Sequence, residues 1–137
     1  MRTLFFTFIF AAITLAGASS GHAAEPEPRH TEHPGIVALS HEDGQWLYRK
    51  FPSSVRLYVY EADQPGKSMC NDSCSLAWPP LFVEDDDASP IGDWTVIARD
   101  SGRHQWAYKG RPVYMRFHDS VEEPLGDKIK GWSFLRP

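Results

Sequence analysis

Residues 55–60 read VRLYVY, with Leu57 and Val59 on one face of an extended chain and Tyr58 and Tyr60 on the other. A strand apolar on one side and aromatic on the other needs cover on both faces, so the stretch is predicted as a central β-strand. Runs of the same kind flank it: GIVAL and QWLYRKF before, and WTVIA, HQWAYKG, RPVYMRF and GWSFL after, each bounded by Gly, Pro, Asn or Asp. β-branched and aromatic residues between turn formers are strand signals. In YKGRPVY, Gly110 and Pro112 between two aromatic runs have the composition of a hairpin connection. The exception is NDSCSLAW, where Asn71 or Asp72 is placed to cap a single helical turn ending at Trp78, because Pro79 disfavours helix at the residue before it. The expected class is mostly β, with one short helix near the Cys-x3-Cys segment.

Further out, the N-terminus carries a leader. Arg2 precedes an uncharged, mostly apolar run of 13 residues from Leu4 to Ala16, followed by small residues and GHAA. That is the pattern of a secretory signal peptide over residues 1–23, cut after Ala23 or Ala24. The run is shorter than the roughly 20 residues a spanning helix needs, so no transmembrane segment is expected, and the address is the periplasm or the exterior. Residues 24–35, AEPEPRHTEHPG, combine prolines with charges and lack apolar periodicity, and read as a flexible arm. His30 and His33 lie in it, a solvated tail being the ordinary reading and a metal trap the sharper one. Residues 36–137 then form one domain. Cleavage removes Arg2 and takes the formal charge from −4 to −5, which argues against nucleic acid and anionic membranes as partners. A monomer is expected.

Two stretches repeat. Asp43 to Lys50, DGQWLYRK, recurs as Gly102 to Gly110, GRHQWAYKG, matching Gln45, Trp46, Tyr48 and Arg49 with Gln105, Trp106, Tyr108 and Lys109. Tyr58 and Asp63 likewise match Tyr114 and Asp119, and each half then passes a glycine (Gly66, Gly126) and a tryptophan (Trp78, Trp132). Half a chain is too small to bury its own aromatics, so two similar β repeats, about 43–80 and 100–137, are expected to pack about a pseudo-twofold axis.

These residues resemble a bacterial family of secreted or lipid-anchored proteins, the secreted repeat of unknown function, marked by a Tyr-x-(Phe/Trp/Tyr)-x-x-Asp motif. Tyr58, Tyr60 and Asp63 occupy the three motif positions, and the likeness runs on through Gly66, SMCNDSC, AWPPL and QWAYKGRPVY over about residues 43–135. The second copy keeps Tyr114 and Asp119 but has Arg116 in place of the aromatic residue, and no cysteine follows the leader to take a lipid. The resemblance implies no activity.

No nucleophile elbow, zinc helix or phosphate loop is present, and the chain is not expected to be an enzyme. The motif tyrosines are expected to pack between layers, with Asp63 capping the turn into Gln64-Pro65-Gly66. The alternative is a ligand surface of Trp46, Trp106, Tyr58 and Tyr114, suited to a sugar or peptidoglycan fragment. Glu84 to Asp87 read as a solvated loop, since they lack the alternation of a calcium loop. Cys70 and Cys74, four apart in an exported chain, are expected to form a structural disulfide. The alternatives are a copper site of Met69, Cys70 and Cys74, whose soft sulfurs select Cu(I), and a redox-active thiol pair. The functional expectation is a cell-envelope protein that binds an unknown partner or small ligand, or is structural, without a cofactor; the alternative is copper or redox handling.

Overall fold

The computed structural model describes residues 26–29 and 32–137; the leader and His30 lie outside them. The described residues are mostly β, with small antiparallel sheets and one α-helix among them. β1 (Val37–Glu42) and β2 (Gln45–Lys50) form a hairpin through Asp43-Gly44, both at positive φ (47° and 77°). Asp-Gly is the pair that tolerates this two-residue turn, whose twist matches the strands it joins. β4 (Trp94–Ala98), β5 (His104–Tyr108) and β6 (Arg111–Pro112) form a second sheet. Its Lys109-Gly110 turn, again with both residues at positive φ (49° and 76°), is the expected hairpin connection. β3 (Tyr58–Tyr60) pairs with β7 (Trp132–Phe134) on one side, and Tyr58 bridges Tyr114 on the other. Leu57, Tyr58 and Val59 are buried, so this is the central strand expected.

Beyond the named strands, two closed rings of backbone hydrogen bonds knit the chain. Leu57 N–H bonds Tyr48 C=O, Leu135 N–H bonds Leu57 C=O, and Tyr48 N–H bonds Leu135 C=O (2.8–3.0 Å). In the other ring Val113 N–H bonds Trp106 C=O, Leu81 N–H bonds Val113 C=O, and Trp106 N–H bonds Leu81 C=O (2.8–3.0 Å). Each ring is closed by a leucine from outside the strands it joins: Leu135, from beyond β7, joins the β1–β2 unit, and Leu81, from the segment before β4, joins the β4–β5–β6 unit. Trp106 holds the place Tyr48 holds in the first ring, whereas the Gln-Trp-x-Tyr match pairs Tyr48 with Tyr108. The shift is one full pleat, so side chains keep their faces.

α1 (Ser73–Ala77) follows the first cysteine and gives way at Trp78, as expected. Its N-terminus differs: Asp72 sits at the cap position with no side-chain cap bond, and Cys74 N–H bonds Asn71 C=O instead (3.0 Å). A single turn of 3-10 helix, η1 (Gly126–Lys128), was not expected from the sequence. The arm is not wholly free, because Pro34 is buried and accepts Val37 N–H (2.9 Å), and His33 packs edge-on against Tyr48. No described helix is long and apolar enough to cross a membrane.

The core has two parts. One gathers Tyr48, Leu57, Leu81, Trp94, Trp106, Tyr108, Val113 and Leu135 between the hairpins. The other centres on Tyr58, Trp78, Tyr114 and Trp132, with Cys70 against them.

Candidate functional site

Around the motif, each tyrosine reaches the other copy's aspartate. Tyr58 Oη donates to Asp119 Oδ2 (2.5 Å), and Tyr114 Oη donates to Asp63 Oδ2 (2.8 Å). The remaining carboxylate oxygens accept backbone amides six residues on, Met69 N–H for Asp63 (2.7 Å) and Leu125 N–H for Asp119 (2.8 Å). Asp63 therefore closes the turn from its far side, as well as tying it to Tyr114. Tyr58 and Tyr114 also exchange both backbone bonds (2.9 and 3.0 Å). Desolvation raises the pKa of Tyr58 and of Tyr114, with Asp119 and Asp63 respectively adding to it. Desolvation also raises that of Asp63, against the bonds from Met69 and Tyr114.

The third motif position explains the departure at Arg116. Trp78 and Trp132 stack face to face at 3.6 Å, within 3° of parallel. Tyr60 covers the outer face of Trp132 at 4.4 Å, and the Arg116 guanidinium lies 5.0 Å from the Trp78 ring. A planar cation on an indole face does the work of the missing aromatic, and Arg116 Nη1 also bonds Ala77 C=O (2.9 Å).

Cys70 and Cys74 are joined by a disulfide with a Cα separation of 5.2 Å. Cys70 is fully buried, and Met69 beside it is 46% exposed. Arg99, a buried cation that sequence reasoning missed, holds this segment from the second half. Its Nη1 donates to Gln105 Oε1 (2.6 Å) and Ser68 Oγ (2.8 Å), and its Nη2 to Cys70 C=O (2.6 Å) and Asn71 Oδ1 (3.1 Å). Ser68 Oγ in turn meets Tyr114 Oη (2.7 Å), so motif, disulfide and Arg99 form one network. An arginine at a strand end carries no sequence signal for such a role. Gln105, from the repeated Gln-Trp, is consumed here too, its Nε2 bonding Val113 C=O (2.7 Å).

The shared aromatic ligand surface is corrected by the structure. Trp106, Tyr58 and Tyr114 are buried at 5%, 0% and 0% exposure, because their rings fill the cores between the sheets. Trp46 is half-buried, tilted against His41 at 4.9 Å, and lines a shallow depression of about 350 Å³ with Gln45 and Arg136. Gln45 and Arg136 also edge a cleft of about 550 Å³. Leu47 and Phe134 line it, as do Asp43, Glu122, Glu123 and Asp127 with Arg56, Lys128 and Arg136. Arg136 Nε donates to Gln45 Oε1 across the shared edge (3.0 Å). Glu42, also in the lining, is bonded by Ser40 Oγ (2.6 Å) and paired with Arg49 and Arg56. Burial works against its ionisation, but the bonds from Arg49 and Ser40 and both arginine charges outweigh it and hold its pKa below the ordinary value. The acidic run Glu84–Asp87 is an exposed loop. Family models, curated proteins and solved structures provide no match to this chain.

Proposed function

We propose that the chain is an exported cell-envelope protein that binds a glycan or peptidoglycan fragment rather than transforming it. The carrying observation is the cleft of about 550 Å³, within the size range of ligand sites, joined through Gln45 and Arg136 to the face of Trp46. An aromatic face beside a lining of both charge signs suits a ligand with apolar ring faces, hydroxyls and the amino and carboxyl groups of a stem peptide. The motif supports binding over catalysis, because Tyr58, Tyr114, Asp63 and Asp119 spend their polar atoms on one another and on backbone amides.

The architecture belongs to the same proposal: two repeats about a pseudo-twofold axis, of the secreted-repeat kind. Its support is reciprocity, since the Tyr–Asp bonds cross from each copy to the other and the two rings repeat with partners exchanged. The Trp78–Trp132 stack would then lie on the axis.

The test is titration of the mature protein with a panel of soluble glycans and muropeptides, read by tryptophan fluorescence and amide chemical shifts. Saturable shifts around Gln45, Phe134 and Arg136, weakened about tenfold by Trp46→Ala, are expected. Silence across the panel overturns the ligand class. On protein taken from the periplasm without reductant, two alkylatable thiols or one equivalent of copper would instead place the function at Met69, Cys70 and Cys74.

A further inference from the structure

A second concavity shares no lining residue with the cleft. Between the loop of residues 83–91 and the chain entering β1 lies a groove of about 380 Å³, lined chiefly by Pro34, Ile36, Val83, Ala88, Ile91 and Trp106. Trp106 is buried there at 5% exposure, while Ile91 remains 38% exposed. Glu84 and Asp85 stand on its edge and Asp86 and Asp87 follow, all four exposed. Among the described residues the ion pairs are Arg49–Glu42, Arg56–Glu42 and Lys109–Asp93, so none of these four carboxylates has a basic partner. The edge is built rather than slack: Asp85 Oδ1 accepts Asp87 N–H (3.0 Å), and Asp85 C=O accepts Ala88 N–H (3.0 Å). Like charges held together at an apolar slot repel one another and attract a cation that brings apolar surface with it.

We propose that this groove docks a cationic amphipathic peptide segment. A bulky apolar side chain seats against Ile36, Ile91 and Trp106, and flanking Lys or Arg side chains pair with Glu84 to Asp87. Charge complementarity selects this occupant. The same carboxylates repel anionic lipid and nucleic acid, and a neutral glycan offers them no cation. Apolar burial supplies the affinity and the acidic edge the selectivity and the speed of encounter.

The probe is an acetylated, amidated hexapeptide alternating Lys and Leu, titrated into the mature chain and followed by amide chemical shifts. Saturable shifts at Ile36, Val83, Ala88 and Ile91 are expected, with affinity falling about tenfold from about 50 to about 300 mM NaCl as surface charges are screened. Glu84→Gln/Asp86→Asn/Asp87→Asn, which leaves the loop-building Asp85 in place, is expected to weaken binding about tenfold without moving the urea midpoint. Ile91→Ser is expected to weaken it severalfold on the apolar side. A Lys–Ser peptide of equal charge that binds as well would reduce the site to charge alone and overturn the proposal. So would shifts confined to other surfaces, an absence of saturation, or reversible self-association that fills the groove without peptide.

Discussion

A Cβ on Gly126 would stand 2.4 Å from Tyr58 Cε1 and 2.9 Å from Trp78 Cη2, both on fully packed rings. Gly126→Ala must displace one of them, and a loss of about 2–4 kcal/mol is expected in urea unfolding. Gly110→Ala meets open space and violates only its positive φ (76°), so about 1 kcal/mol is expected there. The ratio of the two separates packing from backbone strain. Arg116 allows a sharper comparison, since its guanidinium covers Trp78 where Tyr60 covers Trp132. Arg116→Ala is expected to cost about 1–2 kcal/mol and Arg116→Phe less than half of that, because the phenyl ring restores the cover and gives up only the bond to Ala77 C=O. Equal losses in the two variants would show that the hydrogen bond, not the stack, is what Arg116 supplies.

Among the elements, the disulfide closes a loop of only four residues' separation, so its effect on the unfolded chain is small. Replacing both cysteines by alanine is expected to lower stability by about 2 kcal/mol, measured as a urea midpoint unaffected by reductant in the variant and lowered by it in the parent. The fold should survive, because Arg99 still holds Cys70 C=O and Asn71 from the second half. The corresponding stretch after the second motif reaches Gly126 and η1, where glycine rather than a bridge lets the chain lie against Tyr58. The hairpin at Lys109-Gly110 was read from the sequence because it sits between two aromatic runs, whereas the one at Asp43-Gly44 was not, although Asp-Gly carries the same kind of local signal. The closing leucines were not, since Leu81 and Leu135 bond to strands far away in sequence and carry no local mark of it.

At the scale of the whole molecule, buried tyrosines set the alkaline limit. Burial raises the pKa of Tyr48, Tyr58, Tyr108 and Tyr114 above the ordinary value. Their stabilising contribution is complete below pH about 10, where the unfolded chain keeps its phenols protonated, and declines as pH rises above it. Each contributes a loss of up to about 1.4 kcal/mol per pH unit, so unfolding in base should be steep. Phenolate absorbance from these four residues should appear together with the loss of near-ultraviolet circular dichroism. Gradual ionisation of all four in the folded protein would count against their burial. The mostly β class, the central strand at Tyr58, the helical turn before Trp78 and the pairing of Cys70 with Cys74 were all readable from the chain itself. Periodicity, turn chemistry and spacing are properties of adjacent residues, and adjacent residues decide them. Which aromatics face solvent was decided only by the tertiary structure: Trp46 and Trp106 share the same Gln-Trp context, yet Trp46 is only half-buried beside a surface depression, whereas Trp106 is buried in the core with one edge on a groove. The exchange of partners between Tyr58 and Asp119 and between Tyr114 and Asp63, and the burial of Arg99, belong there as well. Each joins segments distant in the chain, and only packing determines which of many chemically equal partners a buried hydroxyl or guanidinium finds.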